Sequence, residues 1–219
     1  NRDLSVKSPP TWAGKAGAAG RIGVEARAPV SVGPQGTAGE GLVAGTVSRV
    51  DMDLMPSDLR ARLGDVAPVR ERVRVGSYEG YRFARLRPKG FSGEVSLVVI
   101  PTTAGVAALA CYGPAAATKL SSSCERVIGS VSLLRGRTGP LGPDPALAKV
   151  LASAIADVNR VRDRGRRLMA DAKTTKGSAN AAAAVAVGYR RAAARIRSTD
   201  VTPEALPARA AIVSSLNAA

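Results

Sequence analysis

Apolar and polar positions alternate over the first two thirds of the chain and recur every three to four residues over the last third, so strands are predicted first and helices afterwards. Residues 4–6, 24–28 and 42–47 are predicted as early strands. Ser57 is placed to cap a short helix running to Leu63, because its side chain can accept from the free N–H groups of the first turn. Val69, Val73 and Val75 alternate with Arg70, Arg72 and Arg74, the period of a strand with one buried and one wet face. Residues 77–80 are expected to turn into a strand at 81–86, residues 90–93 into one at 94–100, and residues 101–105 into one at 106–111. Four strands with short links favour an antiparallel meander. Leu120, Cys124, Val127, Ile128 and Val131 then recur at helical spacing, which predicts a helix within 115–134 lying on the sheet.

Residues 135–143 hold three Gly and two Pro, a composition that resists both regular structures and marks a linker. Beyond it, Asp144-Pro145 is a helix start. Leu147, Leu151, Ala154, Val158, Val161, Gly165, Leu168 and Ala172 follow at alternating steps of four and three, a single sustained seam. Ser178 is expected to cap a second helix with Ala182, Val185, Tyr189, Ala192 and Ile196 on its inner face, and Thr202-Pro203-Glu204 starts a third, faced by Leu206, Val213 and Leu216. The expected fold class is therefore α+β: an antiparallel sheet packed with helices over residues 1–134, a linker, and a helical hairpin or three-helix appendage over 144–219.

Charge and composition then narrow the chemistry. Among 219 residues, 32 Lys+Arg stand against 17 Asp+Glu, a net +15. The excess divides as +8 before residue 140 and +7 after it, which argues against one basic tail. Arginine outnumbers lysine 25 to 7, a habit that a GC-rich genome also produces. With no histidine, Ser-His-Asp and Cys-His nucleophilic sites and imidazole metal ligands are excluded. Two cysteines cannot build a Cys₄ or Cys₃ zinc site. No cofactor or metal site is expected, and no catalytic constellation emerges. No stretch reaches the ~18 consecutive apolar residues of a membrane span. The chain begins at Asn1 without Met, so it is expected to be part of a longer or processed protein whose anchor, if any, lies outside it.

The candidate residues each have a plain alternative. Cys111 at a strand end and Cys124 in the following helix can form a disulfide worth about 3 kcal/mol in the chain-entropy model, or remain two buried thiols. Arg70, Arg72 and Arg74, with Arg82, Arg85 and Arg87 on the next strand, form a surface for phosphate, carboxylate or sulfate groups, or a solvated face beside Glu71 and Glu79. The tract Arg160, Arg162, Arg164, Arg166 and Arg167 looks like a nucleic-acid motif, yet steps of two turn ~200° on a helix and divide it between faces. Arg160, Arg164 and Arg167 share one side, and Asp163 is within reach of Arg166 or Arg167. Aromatic stacking platforms are nearly absent there, so only nonspecific adhesion to nucleic acid at low salt is expected. The segment 14–20 lacks the Gly-x-x-x-x-Gly-Lys-Ser/Thr order of a phosphate loop and is read as a loop. Asp51 and Asp53 lack further oxygen ligands, and Ser121, Ser122 and Ser123 lack a general base.

Val99-Ile-Pro101-Thr102-Thr103-Ala-Gly105-Val106, Ala110-Cys111 and Cys124-Glu-Arg-Val127 carry a resemblance, joined by Leu4-Ser-Val6, Ser8-Pro-Pro-Thr-Trp12, Val43-Ala-Gly45 and Tyr81-Arg82. The chain resembles the extracytoplasmic sensor-like domains of actinobacterial membrane proteins, including receptor-type serine/threonine kinases, whose fold is a PsbP-like α/β sandwich. Lys173-Thr174 fits the turn of the Ala-rich hairpin that often follows. The resemblance implies a disulfide between Cys111 and Cys124, an anchor before Asn1 and no catalysis in this region, any kinase being a separate domain. The expected function is a non-catalytic binding or sensor module. Its expected partner is a cell-wall polymer, an anionic lipid headgroup or an acidic protein. The competing reading is a basic cytoplasmic nucleic-acid-associated protein.

Overall fold

The alternating segments come together as one antiparallel sheet in the computed structural model, which describes residues 3–37, 39–65, 67–114 and 122–219. The chain divides into two units, Asn1–Leu141 and Gly142–Ala219. The first contains β1 (Leu4–Ser5), β2 (Trp12–Gly14), α1 (Ala18–Ile22), β3 (Arg27–Pro34), β4 (Gly41–Val47), α2 (Ser57–Leu63), β5 (Arg70–Val75), β6 (Tyr78–Leu86), β7 (Gly93–Thr102), β8 (Gly105–Pro114), α3 (Ser122–Gly129) and β9 (Ser132–Leu133). Seven strands are ordered β2-β3-β4-β8-β7-β6-β5, and β1 pairs with β9 in a separate two-stranded sheet. The run from β5 to β8 is the expected meander.

Both faces of the large sheet are covered, which is why β7 and β8 are apolar almost without a break instead of alternating. On one face Val43, Phe83, Leu97 and Ala108 pack beneath Ile22 of α1, Leu59 of α2 and the intervening Leu54. On the other, Leu42, Val98, Ile100 and Leu109 pack beneath Cys124, Val127 and Ile128 of α3.

Several local expectations are corrected. The strand placed at 24–28 begins at Arg27, and Val24 instead fills the core behind α1. That five-residue helix and β2 escape pattern reading because they are too short to show a period. Ser57 is the first residue of α2, not its cap; Pro56 occupies the cap, and the Ser57 hydroxyl donates to Asp51 Oδ1 at 3.2 Å. The β5–β6 turn is Gly76-Ser77, with Gly76 at φ 58° as a two-residue hairpin requires, so β6 starts three residues earlier than expected. The helix expected within 115–134 is described only from Ser122 to Gly129; Val131 is buried beyond its end, and Leu120 and Ser121 lie outside the described residues.

The second unit comprises α4 (Pro145–Ala170), α5 (Thr175–Arg197), a 3₁₀ turn (Pro203–Ala205) and α6 (Leu206–Ala218). Leu147 and Ala154 of α4, Ala192, Ala193 and Ile196 of α5, and Val213 of α6 form its core. Asp144 caps α4 by accepting from Leu147 N at 2.8 Å. The cap of α5 is Thr174, which accepts from Gly177 N at 3.1 Å, whereas Ser178 lies inside the helix. Two predicted seam residues are also corrected: Leu168 is exposed, and Ala181 is buried where Ala182 was expected. No helix among the described residues is long and apolar enough to cross a membrane.

Candidate functional site

Strand alternation places Arg70, Arg72 and Arg74 on one face of β5, the outermost strand, opposite Phe83, Tyr81 and Glu79 of β6. Those partners decide how much of each charge remains for a ligand. The Arg70 guanidinium lies 4.2 Å from the Tyr81 ring centroid, a cation–π contact. Arg72 Nη2 donates to Glu79 Oε2 at 2.7 Å, and Arg74 is exposed. The stripe is therefore largely engaged within its own hairpin.

The arginines of β6 do more. Arg82 faces the opposite side, directly across from Glu71, and its Nη2 donates to Glu125 Oε2 of α3 at 2.7 Å. Past Phe83 the ladder slips: Phe83 pairs with Leu97 but Leu86 with Val95, so Ala84 and Arg85 together oppose Ser96. This is a β-bulge, and Arg85 holds it at φ 54°, a left-handed conformation uncommon for a side chain of its size. Bulges bend a strand and re-aim its side chains, and here the bend leaves a cleft of about 550 Å³. Its polar wall carries Arg82, Arg85, Arg87 and Glu71; its apolar wall carries Leu63, Pro68 and Val69. Val69 is 86% exposed at the rim. Arg87 is held by Glu94 Oε1, at 3.0 Å from Nε and 2.5 Å from Nη2. Arg85 has no ion pair among the described residues, and the buried Arg82 Nε has no hydrogen-bond partner there. Helical or strand periodicity could not reveal this cleft, since a bulge shifts the phase that pattern reading assumes.

Cys111 of β8 and Cys124 of α3 form a disulfide with Cα atoms 6.3 Å apart. Both residues are buried in the core beneath α3. The bond ties α3 to the sheet one residue before Glu125, the partner of Arg82. A buried disulfide between sheet and helix points to an oxidising, extracytoplasmic environment.

The helical arginines belong to the other unit. Arg160 bonds Asp157 in its own helix, and Arg195 of α5 reaches the same carboxylate at 2.8 Å. The Arg160 hydrogen bond, aided by Arg195, holds the Asp157 carboxyl below its ordinary range. Arg164 and Arg167 are exposed, and Asp163 makes no ion pair with Arg166 or Arg167 among the described residues, contrary to the spacing argument. Asp51 and Asp53 shape a turn: Asp51 accepts from Ser57, and Asp53 Oδ1 accepts from Met55 N at 3.0 Å.

No family model and no curated protein matches the chain. Among solved structures, a chain from Bacteroides thetaiotaomicron VPI-5482 aligns at 9% identity and a TM-score of 0.40, over 87% of this chain and 74% of that one. A likeness of that size bears neither on fold nor on function.

Proposed function

We propose that the chain is an extracytoplasmic, non-catalytic binding or sensor module of a membrane-anchored protein, of the kind it resembles in PsbP-like domains that include those of receptor-type serine/threonine kinases. Its ligand is an anionic component of the cell envelope. The observation that carries this reading is the cleft beside β6, where guanidinium donors face an apolar wall. Such a site holds a negatively charged group on one side and its less polar continuation on the other. The disulfide supports the compartment, and it also supports the site by securing the helix that anchors Arg82.

Binding through partly exposed arginines is screened by salt. Vesicles containing phosphatidylglycerol and purified anionic wall polymer, titrated separately with the protein, identify the source. At least one is expected to bind at low ionic strength and to be released as salt rises. Arg85→Gly is expected to weaken that binding several-fold while raising stability by about 0.5–1 kcal/mol, because glycine adopts positive φ without strain. Flat isotherms for both probes, or undiminished binding by an Arg82→Gln/Arg85→Gly variant, would reject this ligand class.

A further inference from the structure

A second pocket, sharing no residue with the cleft, lies where the glycine-rich segment before and within α1 meets the turn after β3 and the end of β8. Its volume is about 300 Å³, near the lower end of the range for small-molecule sites. The room comes from Ala16, Ala18 and Gly36, which contribute almost no side chain. Lys15, Arg21 and Tyr112 supply its polar lining together with Thr37, and no acidic residue lines it among the described residues.

Tyr112 decides what the pocket is for. The residue is only 2% exposed, and its ring is held edge-on against Phe91 with centroids 6.1 Å apart. Its hydroxyl passes over Gly41, where a Cβ would come within 2.8 Å of the oxygen. Tyr112 lines the pocket, and its hydroxyl makes no hydrogen bond to another of the described residues, so it is left to meet solvent or a ligand. Burial pushes the phenol above its ordinary value while Arg21 opposes the shift, so at neutral pH the hydroxyl is a donor. Lys15 donates to Thr37 O, which positions an ammonium that has three protons to give. An ammonium and a guanidinium from the α1 segment thus meet a phenol from β8.

We propose that this pocket binds a small molecule through an oxyanion group, a phosphate or a carboxylate, with Tyr112 donating to it and Lys15 and Arg21 balancing its charge. Two cations and a phenol, with no carboxylate among the described lining residues, favour an anion over a neutral polar ligand. This site does not require the β6 cleft to function.

Calorimetric titration of the full chain with inorganic phosphate and, separately, acetate tests the proposal, with ionic strength held constant by chloride. Saturable binding of at least one anion is expected, and the preferred one tells phosphate from carboxylate. Tyr112→Phe keeps the ring and its Phe91 contact, and should weaken binding about tenfold or more, as the loss of one hydrogen bond to a charged group predicts. Lys15→Met should abolish it, with an unchanged melting temperature because Lys15 lies near the surface. Arg82→Gln should leave it untouched. If neither anion binds better than chloride, or if both Tyr112→Phe and Lys15→Met bind as tightly as the parent, the proposal fails. Should Tyr112→Phe misfold, Lys15→Met alone decides.

Discussion

Asp144 serves two segments with one carboxylate. Its Oδ1 caps α4, and its Oδ2 accepts from Thr202 N at 2.6 Å, where the chain enters the 3₁₀ turn. These backbone donors, Leu147 first and Thr202 next, lower its pKa below the ordinary aspartate value. A depressed carboxyl stabilises the fold above its unfolded pKa, roughly 3.9, and that contribution fades as pH falls through the lower folded value. Asp144→Ala should therefore destabilise the helical unit by about 1 kcal/mol near neutrality, followed by urea melts of helical circular dichroism. The gap between variant and parent should narrow progressively below pH 4; a constant gap would mean that the cap's charge is irrelevant. The cap itself was legible, because Asp-Pro before a helical period is a local signal. Its second partner was not, since Thr202 is 58 residues away in sequence. The same limit governed the arginines. Alternation located Arg70, Arg72 and Arg74 on one face, but Tyr81 and Glu79 across the ladder determine which charge is engaged, and the bulge at Arg85 breaks the period on which the count depends.

At the scale of elements, the hairpin of α4 and α5 is joined by reciprocal notches. Gly165 of α4 receives Val185 of α5, and Gly188 of α5 receives Val161 of α4. A Cβ at Gly188 would come within 2.6 Å of Val161 Cγ1, and a β-branched side chain in a helix has little freedom to turn away. Gly188→Ala should gain up to about 1 kcal/mol in helix propensity, yet lose about 1–3 kcal/mol to the clash, for a net destabilisation. Combining it with Val161→Ala should recover part of the loss. A double-mutant cycle on chemical denaturation measures that coupling, and strictly additive effects would show that the helices are not in register here. The four-three seam predicted this pairing of helices because it is periodic and local. It failed at Leu168 and Ala182, where a seam counted in whole residues drifts from the 3.6-residue turn. Short elements such as β2 and α1 carry too few residues for any period, and only the sheet and core they join define them.

For the molecule as a whole, the +15 charge is a poor guide and the distribution of its partners a better one. Acidic residues engage Arg72, Arg82, Arg87, Arg160 and Arg195. The expected adhesion to nucleic acid is thus a matter of overall field. The strand order has a further consequence for how the sheet is built. From β5 to β8 every neighbour in the sheet is also the neighbour in sequence, joined by a short turn. The ladder between β4 and β8 instead joins Val47 to Val106 across some sixty residues, so it closes a long loop before any contact rewards the closure. The meander is accordingly expected to form first, with β4 docking together with β3 and β2 afterwards. Val98→Ala in β7 should mainly slow refolding, whereas Val43→Ala in β4 should mainly accelerate unfolding, as stopped-flow chevrons on the disulfide-intact protein would reveal. The Tyr112 pocket, which needs residues from both sides of that late ladder, would then be the last part of the sheet unit to take shape and the first to be lost.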